Sequence, residues 1–356
     1  MVSPVSKSKT RLTICIPTYN FGRFIGQTLD SILPQVTDDV EVIVLDGGST
    51  DETKEVVLER QEKYNSLTYY YQNFRGGIDC DIEKAVSLAQ SEYCWLFSAD
   101  DIMLPNSVNK ILEAINSEHD VYLCEHELCN LEMEVISEYP IFNNIIRPKL
   151  FNLADAEQRR VYFSKARTSE VFFSFMSAPI FKKKVWDNAI VDESFRGTCW
   201  IVAGHLLRMI PKGISVYYLG ESLLQKRGGN DSFSDCGIVN RCRIAIETFQ
   251  HVGNTIFGKS SEEAFHIRRV LKFDVTLSLL LYAKLKTAEF PTTEDINTLN
   301  RIAKKHYEDK TVSNLVKYAI YRMSHVNLLI VAAGLKKKLW NSVIQKIKLV
   351  RTRLSS

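Results

Sequence analysis

The chain has 356 residues, of which 45% are apolar and 24% charged. That composition excludes a disordered chain, and the length gives room for about two domains with a core that needs no disulfide staples. With 45 Lys and Arg against 42 Asp and Glu, the formal charge of +3 excludes the strongly basic surface of a nucleic-acid-binding protein.

In chain order, Leu12-Thr13-Ile14-Cys15-Ile16 is a short β-rich run stopped by Pro17. Ile25, Leu29, Ile32 and Leu33 recur at helical spacing before Pro34. Val40 to Leu45 is nearly continuous apolar and ends at Asp46-Gly47-Gly48, after which Ser49 and Glu52 form a capping-box pair that opens a helix reaching about Lys63. Leu67 to Tyr71 reads as a third strand. Ile82, Ala85, Val86 and Ala89 give a helical face, and Tyr93 to Phe97 is a buried strand. Asn106 to Ile115 is helical again, and Val121 to Cys124 is another strand. This order implies an α/β fold with a mostly parallel central sheet covered by helices on both faces. From about residue 235 the pattern turns helical, so the expected domains are 1–235 and a helical C-terminal region, 236–356.

Parallel sheets bind ligands at the carboxyl ends of their strands. The polar and glycine-rich residues fall there: Pro17-Thr18-Tyr19-Asn20, Asp46-Gly47-Gly48, and Ser98-Ala99-Asp100-Asp101. Adjacent carboxylates repel, so Asp100 and Asp101 either share a cation such as Mg²⁺ or Mn²⁺ or serve a helix, with Asp101 capping one that begins near Pro105. Asp46 either accepts hydrogen bonds from a base or ribose or is a turn residue. Asp79 and Asp81, after Arg75-Gly76-Gly77, either belong to the same site or complement a helix dipole.

As an ordered set, these three strand-end motifs resemble the family 2 glycosyltransferases, inverting enzymes of the GT-A fold, over residues 11 to about 120. The resemblance implies that Thr18 and Asp46 line a nucleotide and that Asp100 holds the divalent metal (Mg²⁺ or Mn²⁺) bridging a sugar diphosphate. Asp101 would stand beside it as ligand or sugar contact. Pro17, Tyr19, Asn20, Gly77, Asp79, Asp81 and Ser98 complete the implied donor site. Two departures stand out: Gly47 occupies the place of a second Asp, and Ser98 that of the first carboxylate of an Asp-x-Asp motif. Gly76 to Ile82, Glu92 to Phe97 and Arg227-Gly228-Gly229-Asn230-Asp231-Ser232 also resemble a bacterial subgroup of abequosyltransferase-like enzymes of O-antigen assembly.

A departing nucleoside diphosphate needs its charge offset, and Arg227 is the candidate cation. The acceptor hydroxyl needs a base, which the family takes from a carboxylate in its second half; Asp192 and Glu193 are the available pair, with His205 a rival that reads equally as a core histidine. Gly253 to Ser260 satisfies the G-x-x-x-x-G-K-[ST] pattern, but the preceding Ile244 to Val252 is helical, not a strand, and Ser260 with Glu263 caps the next helix. A phosphate-cradling loop is therefore not expected there.

Eight cysteines without a C-x-x-C pair read as reduced thiols of a cytosolic protein. The polar start, Met1 to Arg11, carries no signal-like core, and no apolar run is long enough to span a bilayer. Val326 to Leu335 is apolar, and residues 331–356 hold seven Lys or Arg with no acid and a Trp, a basic amphipathic tail suited to an anionic membrane surface. The combined expectation is a cytoplasmic glycosyltransferase, peripheral on the inner face of the plasma membrane. It would move a hexose or deoxyhexose from a nucleotide-sugar donor to a lipid-linked oligosaccharide acceptor. The alternative is a non-catalytic nucleotide-sugar-binding or scaffold protein of the same fold. A dinucleotide-dependent oxidoreductase is excluded by Pro17 to Gly22, which is not G-x-G-x-x-G.

Overall fold

A computed structural model describes residues 10–230, 237–289 and 293–324. These group into two compact units, residues 10–230 with 248–273, and residues 237–247 with 274–289 and 293–324. By contacts, then, the division is not one cut near 235, since the helical stretch 248–273 belongs with the first unit.

The first unit alternates β1 (Leu12–Thr18), α1 (Gly22–Ile32), β2 (Val40–Asp46), α2 (Thr53–Gln61), β3 (Leu67–Tyr71), α3 (Ile78–Leu88) and β4 (Tyr93–Leu96). Then follow β5 (Ile102–Met103), α4 (Ser107–Ala114), β6 (Val121–Cys129), β7 (Val135–Tyr139), β8 (Lys149–Asn152) and α5 (Ala156–Lys165). β9 (Pro179–Lys182), α6 (Lys183–Asp187), α7 (Ile201–Met209) and β10 (Ser215–Lys226) complete the sheet. Its ten strands run in the order β3-β2-β1-β4-β9-β6-β10-β5, with β7 on β6 and β8 on β10. β1, β2, β3 and β4 are parallel, β9 is antiparallel to both its neighbours, and β6 and β10 are again parallel. Because β9 reverses twice, β6 and β10 point the same way as β1, β2 and β4. All five carboxyl ends therefore open on one edge.

Every residue of β1 is buried, as is nearly every residue of β2, which is why both read as unbroken apolar runs rather than alternating ones. α1 covers the sheet with Ile25, Leu29 and Ile32, spaced at one helical face. The capping of α2 differs from expectation. Ser49 and Glu52 make no capping box; the Asp51 carboxylate accepts from the Thr53 N–H (3.1 Å), from its hydroxyl (2.5 Å) and from Gly22 N–H (2.9 Å), tying the starts of α1 and α2 together. Asp51 can do this because its two oxygens divide the work, Oδ1 serving α2 and Oδ2 serving α1.

α9 (Phe249–Phe257), after the helix α8 (Gly237–Arg243) and a π-helical turn at Ile244–Thr248, and α10 (Glu262–Asp274) lie where the phosphate-loop pattern occurs. Gly253 sits inside α9 with Ile267 against it, so the segment is helix and turn, as expected. The next helix is capped by Ser261, whose Oγ accepts from Ala264 N–H (3.0 Å), one residue later than expected.

The second unit contains α8, α11 (Leu277–Glu289), α12 (Thr293–His306) and α13 (Val312–Met323) around a core of Val239, Cys242, Leu280, Leu299, Ile302 and Tyr321. No helix among the described residues is long and apolar enough to cross a membrane. The expected basic tail, 326–356, lies outside the described residues.

Candidate active site

Thr18 and Asp46 are register partners at the ends of β1 and β2, and Gly47 N–H donates to Thr18 O (2.9 Å). The Asp46 carboxylate is fully buried. It accepts from Ser49 N–H (2.7 Å) and from the Tyr69 hydroxyl (2.7 Å), and burial together with that bond raises the Tyr69 phenol. Asp46 thus shapes the Gly47–Ser49 turn from beneath. Asn20 closes the same mouth: its N–H donates to Ser49 Oγ (2.8 Å) and its Oδ1 accepts from Thr50 N–H (2.8 Å). The Thr18 hydroxyl is buried with no hydrogen-bond partner among the described residues. A buried hydroxyl left so costs about 1–3 kcal/mol unless a ligand satisfies it. Tyr19 lies under the Arg75 guanidinium at 4.3 Å, and Pro17 is buried within β1.

Gly47 has a reason that the sequence did not show. A Cβ there would meet Asp81 Oδ2 at 2.5 Å. The space that a side chain at position 47 would need is therefore taken by a carboxylate from the first turn of α3. Asp81 accepts from Gln72 Nε2 (2.8 Å), and burial raises its pKa despite that bond. Gly77, at φ +85°, turns the chain into α3 in a conformation that L side chains rarely adopt.

Asp79 points elsewhere. Its carboxylate accepts from three backbone N–H groups, Gly197 (2.8 Å), Cys199 (2.9 Å) and Ile201 (3.2 Å), and so pins the turn that starts α7. Burial raises its pKa even against those three bonds. Its role therefore extends beyond complementing the dipole of its own helix.

Beyond β4, Ser98 Oγ donates to Asp100 Oδ1 (2.5 Å) and Asn230 Nδ2 to Asp100 Oδ2 (2.9 Å). Ser98 orients the carboxylate that follows it. Asp101 caps no helix: it accepts from Arg227 N–H (3.0 Å) and from the Ser177 hydroxyl (3.1 Å), while α4 begins after Asn106. Complete burial, then the neighbouring Asp100 charge, raise Asp101 well above the usual carboxylate range. Arg227 differs from expectation as well. Its guanidinium is buried and donates to Asp100 O (2.9 Å), Leu131 O (2.6 Å) and Gln27 Oε1 (2.8 Å), so it braces the Asp100–Asp101 turn.

Among the described residues no group of three or more His, Cys, Asp or Glu converges to hold a metal. The oxygens around Asp100 nevertheless suit a hard cation that keeps most of its shell for water and diphosphate.

The β6–β10 end of the edge carries a cluster that sequence reasoning missed. His126 Nδ1 lies 3.3 Å from Glu170 Oε2, and Lys226 Nζ lies 3.2 Å from Glu170 Oε1 and 4.2 Å from the Phe175 ring centre. His126 is stacked on Tyr139 and fully buried, and burial pushes its pKa down to about 2; burial also raises Glu170. No spacing signals this cluster, because its members come from three separate segments.

Glu193 is solvent-exposed and Asp192 partly so. Asp192 caps its own short turn through Ser194 N–H (2.9 Å), which lowers its pKa, and Glu193 pairs with Arg196. His205 is a core histidine, stacked on Trp186 at 3.7 Å with Nε2 3.2 Å from Glu83.

The family model for glycosyl transferase family 2 matches residues 13–183. Abequosyltransferase RfbV of Salmonella typhimurium is 28% identical over 339 residues, covering 86% of this chain and 98% of its own length. The GalNAc(5)-diNAcBac-PP-undecaprenol beta-1,3-glucosyltransferase of Campylobacter jejuni is 25% identical, over 54% of this chain and 59% of its own. In fold, the chain resembles residues 1–349 of S. aureus TarS, solved alone and with UDP or UDP-GlcNAc, at a TM-score of 0.58, covering 92% of each chain at 13–14% identity. With the shared GT-A-like sheet, the ordered strand ends and these relatives in hand, residues 13–183 are a glycosyl transferase family 2 domain and the chain is a glycosyltransferase, related to those of O-antigen and lipid-linked glycan assembly.

Proposed function

We propose that this enzyme transfers a hexose or deoxyhexose, with inversion, from a nucleotide-diphosphate sugar to a lipid-linked glycan in cell-surface polysaccharide synthesis. It would work in the cytoplasm against the anionic inner face of the plasma membrane, and its acceptor class follows the name of the Campylobacter jejuni relative, a PP-undecaprenol-linked saccharide. The observation that carries the reading is the single edge on which Thr18, Asp46 and Asp100 meet. β2 and β4 flank β1, so at about 4.8 Å per strand the strands that lead to Asp46 and to Asp100 lie about 10 Å apart. That span suits a nucleoside at one end and a sugar diphosphate at the other.

The Thr18 hydroxyl, without a protein partner, is free to bond the nucleotide, and Arg75 presents its charge at the same mouth. Asp100, oriented by Ser98 and Asn230, would hold a Mg²⁺ or Mn²⁺ ion. When bound, that cation offsets the charge of the departing diphosphate. Arg227 and Ser177 hold Asp100 and Asp101 in place. The acceptor proton goes to a carboxylate; of the pair expected from the sequence, Asp192 has a lowered pKa that suits a base poorly and Glu193 is paired with Arg196, so the base is assigned to neither.

The test is thermal melting with a panel of nucleoside diphosphates, with and without Mn²⁺. A ligand at about 100 times its Kd stabilises the native state by about 2.7 kcal/mol, so one nucleotide should raise the Tm in a Mn²⁺-dependent way. Asp100→Asn should remove the Mn²⁺ dependence. A flat response to every nucleotide would overturn the reading.

A further inference from the structure

α13 buries Asn314 and Tyr321 and rests Tyr318 partly against the second unit's core. Its opposite face is apolar and open: Val312 is 79% exposed, Leu315 57%, Val316 53%, Ile320 39% and Met323 66%. At about 100° per residue these five fall in one arc of about 140°, with Lys317 beyond one border and Arg322 at the other. Polar residues belong on the solvent side of such a helix, and here they are displaced to its flanks.

Charge identifies what covers the face. From Lys310 to Ser356 the sequence holds ten Lys or Arg and no Asp or Glu. A second copy docked through the same face would bring Lys317 and Arg322 against their own images, which disfavours self-association through this surface. A helix with an outward apolar stripe bordered by cations is the form that lies in a bilayer interface, where Lys and Arg meet anionic headgroups.

We propose that α13 docks on an anionic lipid bilayer, its Val312–Leu315–Val316–Ile320–Met323 face in the acyl boundary and Lys317 and Arg322 at the headgroups. The inference deepens the proposed function, resting on it only in that a lipid-linked acceptor makes docking useful. It names a folded helix as an attachment point, in addition to the basic tail.

The experiment is co-sedimentation of the full-length chain with vesicles of phosphatidylcholine alone or mixed with phosphatidylglycerol. The wild type should pellet with the mixed vesicles only, and Leu315→Glu with Val316→Glu should weaken that partition by about tenfold. Both side chains are solvent-exposed, so the variant's Tm should match the wild type's. Lys317→Glu with Arg322→Glu, which leaves the apolar face intact, should weaken binding to anionic vesicles as well. Equal binding of the wild type and the Leu315/Val316 variant, equal binding to both vesicle types, or no binding at all would overturn the proposal. So would a fall in oligomeric state in the Leu315/Val316 variant, which would assign the face to a second copy. The nucleotide melting shift is read on the same samples: its failure with vesicle binding retained would sink the donor reading and leave the docking standing.

Discussion

The β1–β2–β4 end and the β6–β10 end of the sheet's carboxyl edge are built on different plans. At the first, each functional carboxylate comes just after its own strand or ends it, and each has one partner from its own turn, Ser49 for Asp46 and Ser98 for Asp100, beside more distant ones such as Tyr69 and Asn230. At the second, the polar groups come from distant segments. Lys226 meets Glu170 across 56 residues, and His126 of β6 lies against the same carboxylate. Local construction leaves a motif, and long-range construction leaves none. The first end is consequently the one whose chemistry can be read from the chain.

The largest expected effect sharpens the first plan. Asp100→Asn keeps the shape of the turn and removes the charge, so transfer should fall by about 10³-fold, on the order of 4 kcal/mol of transition-state stabilisation. Steady-state kinetics across a Mn²⁺ titration, with circular dichroism to check the fold, measure it. Wild-type turnover in this variant would mean that the local carboxylate motif is scaffold.

Next comes Asp79, which follows β3 yet finds its partners 118 or more residues further along the chain. Asp79→Ala leaves the N–H groups of Gly197, Cys199 and Ile201 without their acceptor, and a loss of about 3 kcal/mol in urea unfolding is expected. Asp79→Asn, which retains one acceptor oxygen, should recover part of it. Equal stability of all three proteins would show that the α7 turn is held by something else.

These pairs also show why the sequence was legible in some places only. The β1, β2 and β4 runs, the strand-end motifs and the helical phosphate-loop decoy all rest on local pattern, and the structure has them. The role of Gly47 depends on Asp81 arriving from α3, and that of Arg227 on Gln27 and Leu131, so neither could be read from neighbours. Asp51 and Ser261 displaced the expected caps by one or two positions, because which side-chain oxygen reaches the helix depends on the backbone path into it.

A smaller effect belongs to His126. Its folded pKa is near 2 against an ordinary 6.5, so below about pH 6.5 the unfolded chain takes up a proton that the native one refuses. This one site should then cost about 1.4 kcal/mol of stability per pH unit as the pH falls. The raised carboxyl of Glu170 acts in the opposite sense, contributing stability that is lost as the pH rises through its folded pKa. His126→Phe preserves the stacking on Tyr139 and keeps Glu170, so urea unfolding at pH 7, 6 and 5 should show a shallower acid slope by about that amount. An unchanged slope would mean that the buried cluster admits a proton.

The smallest effect is expected at Asp192, and it decides how far the first plan extends. A general base works best with a pKa close to the working pH, and burial is the usual means of raising a carboxylate toward it. Asp192 has the reverse environment: it is partly exposed, and the Ser194 hydrogen bonds stabilise its ionised form and lower its pKa. Asp192→Asn retains an oxygen for the Ser194 N–H, so the turn should persist and kcat should change less than about twofold. The pH profile of kcat separates the two outcomes, because losing the base would remove its acid limb as well as lower the plateau. A fall of about 10²-fold with that limb gone would return the base to this exposed turn and make it a third locally built part of the site.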